Sequence, residues 1–456
     1  MNNQNTSLTV AKFGGTSVAN FEAINRCVDI IEADPKVRLV VVSAAAGVTN
    51  RLVELSAGQT DLARRQALLH DIAAIEYAML DRLENRSQVA AELDALLALM
   101  ASLSGRIAAG DGEPALADQL LSLGERCSTL LLTELLNQRG IAAVNFDACQ
   151  VMRTDDHFGR ASPQLAQLES LCEQHLLPQL ATQVVVTQGF IGADQQGRVT
   201  TLGRGGSDYS AALLAQSLRA RVLAIWTDVD GIYSCDPRVV ADAHPIAELS
   251  FNEAAEMATF GSKILHPATI LPAVRGGCQV FVGSTYAPQK GGTWIRSECG
   301  SQPVFRALSL RRRQTLLTAH SLNMLHAQGF LAELFAVLAR HRISVDLITT
   351  SEVSVALTLD QTGSDSSGRA LVSQALLDEL APLCRVEVEQ DLALVAVIGN
   401  HIAKTSGIGI RVLEAMQDSN VRMFCQGASA HNLCFLVDGD EAESIVQRLH
   451  RQLLTA

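Results

Sequence analysis

The sequence predicts an α/β protein in which a mostly parallel sheet, covered by helices on both faces, is followed by two copies of a small ferredoxin-like unit. Three observations carry this reading. Over residues 1–300, short continuous apolar runs bounded by glycine or polar turns alternate with segments of helical periodicity, as in a sheet buried on both faces. At 456 residues the chain exceeds the usual size of one domain. The last third repeats itself: Gly407 lies 78 residues after Gly329, and at that one offset Phe330 matches Ile408, Leu334 Val412, Leu338 Met416, Val345 Met423 and Leu357 Phe435.

Taken in order, strands are expected at 8–13, 39–42, 142–146, 184–187, 222–226 and 279–282. Helices are expected at 20–32, 116–137, 163–177, 209–218 and 251–260. Between 62 and 107 no strand candidate occurs. There Leu68, Ile72, Ile75, Met79 and Leu83, then Leu93, Leu96, Leu97, Met100 and Leu103, recur at helical spacing, which predicts an inserted helical hairpin. The first repeat, within 310–388, reads as strand 315–319, helix 330–341, hairpin strands 343–349 and 353–360, and helix 370–380. The second, within 389–456, reads as strand 392–399, helix 408–418, strands 421–426 and 432–437, and helix 441–454. Units of this kind have bare sheet edges that tend to pair, so the two copies are expected to interleave or dimerise.

Composition narrows the partners. Against 48 acidic residues stand 36 basic ones, a net charge of −12, and the only basic run is Arg311-Arg312-Arg313. No nucleic-acid or anionic-membrane partner is expected. The longest nearly apolar stretch, 39–48, is far shorter than the roughly 18 residues of a spanning helix, and residues 1–9 lack an apolar signal core, so a soluble cytoplasmic protein is expected. Ten cysteines without CxxC spacing read as reduced thiols rather than a metal or redox motif.

Four segments carry candidate chemistry. Lys12-Phe13-Gly14-Gly15-Thr16-Ser17 joins the first strand to the first helix; its glycines free the backbone to turn toward an anion and its lysine adds a charge, although such a turn is also an ordinary structural feature. Gly203-Arg204-Gly205-Gly206-Ser207-Asp208 opens a helix. Its glycines and cap are explained by the turn, but Arg204 is not, and an arginine amid glycines suits a carboxylate or phosphate. Trp226-Thr227-Asp228-Val229-Asp230-Gly231, running on to Tyr233 and Asp236-Pro237-Arg238, is a polar loop at a strand's carboxyl end, where open α/β sheets bind ligands. Phe260-Gly261-Ser262-Lys263-Ile264-Leu265-His266 adds one lysine, and His266, before a proline, reads as structural rather than as a base. There is no GxxxxGK[ST], no GxGxxG with a distant acid and no G-x-S-x-G elbow. What survives suits phosphoryl transfer, in which the protein positions groups and stabilises spread negative charge.

Together these four segments resemble aspartate kinase of the amino acid kinase superfamily, and the C-terminal repeats resemble its paired ACT modules. Ser344-Val345-Asp346-Leu347-Ile348-Thr349-Thr350-Ser351-Glu352 is most similar to the monofunctional, lysine-sensitive members. The resemblance implies the amino acid kinase fold and ATP-dependent phosphorylation of the L-aspartate side chain. Lys12 and Asp208 would be catalytic, and Ser43, Thr49, Glu125, Arg204 and Ser207 would bind aspartate. Lys12, Gly14, Gly15, Thr227, Asp228, Tyr233, Arg238, Lys263 and Ile264 would contact ATP. Mg2+ would be held by phosphates and water, with no protein metal ligand.

L-Lysine would act as inhibitor in the first ACT copy, near Met324, Phe330, Leu331, Ser344, Val345, Asp346, Ser351 and Glu352. The second copy has Phe424 and Ala430 where the first has Asp346 and Glu352, so only the first offers acids to two ammonium groups. Ala327 stands where the resemblance calls for serine. A homodimer through the ACT modules, or a tetramer, is implied. A kinase acting on glutamate or a nucleotide, and a non-catalytic amino-acid sensor on the same fold, are the alternatives; the paired ACT copies and Glu125 argue against the first, and the presence of Lys12, Arg204, Asp208 and Lys263 together against the second.

Overall fold

The computed structural model describes residues 8–455 apart from 85, 204, 262–266, 326–327, 361–370 and 417; of Gln88, Pro267 and Asp360 only the backbone is described. The chain divides into two compact units: 1–232 with 245–254 and 263–300, and 233–244 with 255–262 and 301–456.

The first unit is built on strands β1 (Thr9–Phe13), β2 (Val37–Val42), β3 (Ala143–Phe146), β4 (Val184–Gln188), β5 (Ile191–Ala193), β6 (Val199–Thr201), β7 (Val222–Thr227), β8 (Glu248–Ser250), β9 (Gln279–Ser284) and β10 (Gly292–Arg296). Eight of these form one sheet in the order β3-β4-β2-β1-β7-β9-β10-β8, while β5 and β6 pair separately. All neighbours are parallel except β9 and β10. The central runs are apolar because they are covered on both sides: every residue of β1 and β4 is buried. Burying each such valine or leucine contributes roughly 1.5–3 kcal/mol.

Helices α1 (Phe21–Ala33), α2 (Val48–Ser56), α3 (Leu62–Leu80), α4 (Ser87–Ala108) and α5 (Pro114–Gln138) share one core with the β1 and β2 face that carries Ala11, Phe13, Val40 and Val42. Asn20 caps α1 by accepting from Ala23 N–H at 2.9 Å, Asp61 caps α3 in the same manner, and Pro114 takes the first-turn place that needs no amide donor. The helical spacing of Leu68, Ile72, Met79, Leu93, Met100 and Leu103 appears here as the buried faces of α3 and α4. Further along come α6 (Leu165–Leu171), a π turn, α7 (Leu177–Leu180), α8 (Gly206–Ser217), α9 (Phe251–Thr259) and α10 (Pro267–Gly276). The helix expected over 163–177 thus runs without a gap from 165 to 180, with the π turn at 172–176 and Pro178 in the stretch that follows it.

The second unit has β11 (Ala307–His320), α11 (Phe330–Arg340), β12 (Ser344–Thr350), β13 (Ser354–Asp360), α12 (Gln374–Leu380), β14 (Arg385–Ile398), α13 (Ile408–Glu414), β15 (Met423–Gln426), β16 (Asn432–Asp438) and α14 (Ala442–Leu453). Its six strands run in the order β12-β13-β11-β14-β16-β15. β11 and β14 are 14 residues each, much longer than the strands expected at 315–319 and 392–399. They pair with one another along their whole length, with register shifts between Arg311 and Leu316. The first halves of β14 and β12–β13 share a sheet half with residues 315–320, whereas residues 307–311 lie against the half of β14 that pairs with β16. The two copies therefore exchange strand segments instead of following one another cleanly. Leu317, Leu334, Leu338, Val355, Leu357 and Leu376 fill one core, and Leu308, Val395, Ile408, Val412, Phe435, Ile445 and Leu449 the other.

Candidate active site

The carboxyl ends of β2, β1 and β7 lie level, since Phe13 pairs with Val42 and Trp226. At β1 the chain has β2 on one side and the much later β7 on the other, the switch point outside which open α/β sheets hold ligands. Lys12, the penultimate residue of β1, is buried, and its Nζ lies 2.5 Å from Asp208 Oδ1 in the first turn of α8. Gly15 lies so close to the loop after β2 that a Cβ there would come within 2.8 Å of Ala44 O, and Ala46 N–H donates to Gly15 O at 3.0 Å. Gly14 N–H donates to Trp226 O at 3.1 Å, which ties the turn to the end of β7.

Glu125 projects from α5 into the same place. It is 4% exposed, and burial raises its carboxyl to about 8, partly offset by a hydrogen bond from Ala44 N–H and by the charge of Lys12. Gly124 explains how α5 comes so near, because a Cβ there would stand 2.7 Å from Ala44 Cβ and 3.1 Å from Leu52 Cδ1. Ser43 follows β2 directly, its N–H donating to Phe13 O at 3.1 Å, whereas Thr49 is exposed in the first turn of α2.

The start of α8 is shaped by its glycines. Gly203 and Gly205 have φ of 77° and 75°, which glycine adopts without penalty. A Cβ on Gly206 would meet the Phe190 ring at 2.7 Å, and one on Gly189 would meet Ser207 Cβ at 2.7 Å. Ser207 therefore sits against the turn after β4, where Phe190 is held at φ 71° with its N–H donating to Ser210 Oγ at 2.9 Å. A bulky residue in that conformation stores strain of the kind found at ligand sites. Of the first-turn amides of α8, that of Gly206 donates to Gly203 O at 3.0 Å, while those of Ser207 and Asp208 have no intrahelical acceptor and stand at the end of the helix that carries the Lys12–Asp208 pair, a place suited to an anion. Sequence reasoning missed Ala44, Gly124 and Phe190; the Gln188-Gly189-Phe190 turn after a buried strand was a signal for the last, and nothing local marked the first.

Thr227 ends β7 and its hydroxyl donates to the exposed Asp228 at 3.1 Å; Asp230 pairs with Lys290 at 2.9 Å. Tyr233 and Arg238 belong to the second unit, and Arg238 pairs with Asp236 at 2.7 Å. Arg204, Lys263 and Ile264 lie outside the described residues, as does Ala327.

In the second unit Met324, Phe330 and Val345 pack on one core, while Leu331 is exposed at the start of α11. Ser344, Val345 and Asp346 open β12, and Asp346 pairs at 2.8 Å with Arg311, one of the run that composition alone had left without a use. Ser351 and Glu352 stand at the exposed tip beyond the far end of β12, with Ser351 Oγ 2.7 Å from Ser354 Oγ. At the repeat-related positions Phe424 packs against the second core, and Ser429 donates to Glu256 at 2.5 Å. No described helix is long and apolar enough to cross a membrane.

A model of the amino acid kinase family matches residues 7–284, and an ACT domain model matches residues 395–453. The chain is 56% identical to lysine-sensitive aspartokinase 3 of Escherichia coli over 98% of its length and 99% of that protein, and 34% identical to an aspartokinase of Chlamydia pneumoniae over 97% of each. It is also similar to the crystal structure of E. coli aspartokinase III with aspartate and ADP (R-state), with a TM-score of 0.90, 56% identity and coverage of 98% of this chain and 99% of that one. For the lysine and aspartate complex (T-state) the TM-score is 0.83, with 55% identity and coverage of 98% and 100%. The chain belongs to the amino acid kinase family and, within it, to the aspartokinases.

Proposed function

We propose that the chain phosphorylates the side-chain carboxylate of L-aspartate with ATP, giving 4-phospho-L-aspartate and ADP, and that L-lysine inhibits it. Residues 1–300 carry catalysis, and 310–388 and 389–456 are the two ACT units. The observation that carries this reading is the 2.5 Å Lys12–Asp208 pair beside the buried Glu125, in a chain 56% identical to a lysine-sensitive aspartokinase.

An oxygen of the aspartate side chain attacks the γ-phosphorus, the bond from that phosphorus to the β–γ bridging oxygen breaks, and ADP leaves with its electron pair. No proton need move, because a carboxylate of ordinary pKa about 3.9 is already ionised at pH 7. Lys12 neutralises charge on the transferring group, Asp208 orients Lys12, and the α8 amides stabilise the phosphoryl oxygens. Glu125 takes the substrate ammonium, Arg204 its α-carboxylate, and Ser43, Thr49 and Ser207 complete the pocket. Gly14, Gly15, Thr227, Asp228, Tyr233, Arg238, Lys263 and Ile264 serve the nucleotide. Mg2+ would be held by phosphate oxygens and water, where it supplies charge neutralisation.

Lysine binds the first ACT copy. Asp346 lies near the start of β12 and Glu352 in the turn beyond its far end, so the two acids stand at opposite ends of the strand within one copy. Paired copies would bring one acid from each. Exposed Leu322, Leu325, Leu331, Phe335, Ile348 and Val353 in the first copy, with Ile348 on the edge strand β12, suit such a homodimer. The enzyme would work in the cytoplasm, where its ten cysteines stay reduced. The test is ADP release coupled to aspartate, glutamate or uridine monophosphate, with and without lysine, threonine and methionine. Turnover on aspartate and inhibition by lysine are expected; turnover on glutamate alone, or none, would sink the reading.

A further inference from the structure

The loop 233–244 is closed at its neck: Ser234 N–H donates to His244 O at 2.9 Å, and His244 N–H donates to Ser234 Oγ at 3.0 Å. Its body is fastened to the second ACT copy. Cys235 and Val240 are buried in the core that contains Ile445 and Leu449 of α14, Leu308 N–H of β11 donates to Ser234 O at 2.7 Å, and Gln447 Nε2 of α14 donates to Val239 O at 2.8 Å. At the neck itself stands His450 of α14. It is fully buried, its Nε2 lies 2.9 Å from Ser234 Oγ, and its ring meets that of His244 edge-on with centroids 5.9 Å apart.

The imidazole is not explained by packing. Its Nδ1 meets no hydrogen-bond partner among the described residues, so on the apolar face of α14 it is costlier than leucine would be. Burial and the neighbouring His244 hold it below its ordinary value, hence neutral, and its useful contact is the bond to Ser234. The same loop carries Tyr233 and Arg238.

We infer that His450 is a positioning residue for nucleotide binding: from the last helix of the second ACT copy it holds the neck of the loop that presents Tyr233 and Arg238. This rests on the reading that those two residues contact ATP. The loop's shape then depends on how α14 is seated, and the regulatory module acquires a direct grip on nucleotide affinity. Steady-state kinetics on the full chain test it, with His450→Phe, which fills the volume without the bond, His450→Gln, which keeps a donor of similar reach, and Ser234→Ala and Arg238→Ala. His450→Phe and Ser234→Ala are expected to raise the ATP KM fivefold or more, with kcat at saturating ATP and the aspartate KM within twofold of the parent, and His450→Gln to restore the ATP KM. A merely structural residue would lower the active fraction without that split. A parental ATP KM in His450→Phe, or in Ser234→Ala should the former not fold, while Arg238→Ala raises it, overturns the positioning role alone. An unchanged ATP KM in Arg238→Ala and in Tyr233→Phe overturns the nucleotide reading of the loop and this inference with it.

Discussion

Replacing Glu125 with glutamine keeps the side chain's shape and its acceptor for Ala44 N–H, and removes its capacity to ionise. In the folded chain burial lifts this carboxyl to about 8 from an ordinary 4.5, so the folded state holds the proton more tightly than the unfolded one. The stability that follows is complete below about pH 4.5 and is lost as the pH rises toward about 8. At roughly 1.4 kcal/mol per unit, the loss by pH 7 is on the order of 3 kcal/mol. Glutamine escapes it. By thermal melting, Glu125→Gln is expected a few degrees above the parent at pH 8, with the gap closing toward pH 5. The same change removes a charge-assisted bond to the substrate ammonium, about 1.5–3 kcal/mol, which raises the aspartate KM roughly 10- to 150-fold. In the parent the aspartate KM should fall by up to about tenfold per unit of rising pH below about 8, because only the ionised form binds an ammonium well, and in the variant it should be flat. A variant less stable than the parent at every pH, with a parental aspartate KM, would refute the reasoning.

Four further outcomes follow from the geometry. Lys12→Met should lower kcat at least about a hundredfold with an unchanged circular dichroism spectrum; parental turnover removes Lys12 from the chemistry. Gly124→Ala places a Cβ 2.7 Å from Ala44 Cβ and 3.2 Å from Val48 Cγ1, and overpacking of about 1–3 kcal/mol should outweigh the roughly 1 kcal/mol helix gain. A lower urea midpoint and a higher aspartate KM are expected, and a more stable variant contradicts the close approach of α5. Both oxygens of Glu76 are buried without a partner among the described residues, and burial raises its carboxyl to about 8, so Glu76→Leu should raise the melting temperature more at pH 8 than at pH 6; equal or negative shifts count against an orphaned acid. Asp346→Ala should move half-inhibition by lysine more than tenfold, and an unchanged inhibition curve defeats the effector assignment.

The strands at 37–42, 184–188 and 222–227 were legible because parallel strands covered on both sides read as unbroken apolar runs, and α3 and α4 because their buried faces recur every three or four residues. β8, β10 and the β5–β6 pair were not. They are three to five residues long, and Gly292-Thr293-Trp294-Ile295-Arg296 lacks a run that stands out from a loop. Nor does anything near Cys235 and Val240 announce that they fold with residues some 70 to 200 positions later. The long β11 was foreshortened because the shift around Arg311 to Leu316 interrupts its pattern.

By itself the sequence determined the α/β class, the repeat at 78 residues and the glycine-shaped turns, which follow from periodicity and local backbone demands written within a few residues of where they act. Asp208 and Glu125 became candidates through the resemblance of the motifs that hold them, as did the catalytic role of Lys12. The tertiary structure alone decided that Glu125 is a buried acid held by Ala44 rather than a solvated helix residue, that Asp346 is paired with Arg311, and that 233–244 is held by α14. Burial and charge partners are properties of surfaces brought together from distant parts of the chain, and a carboxyl that titrates near 4.5 in water is moved to about 8 only by what closes over it.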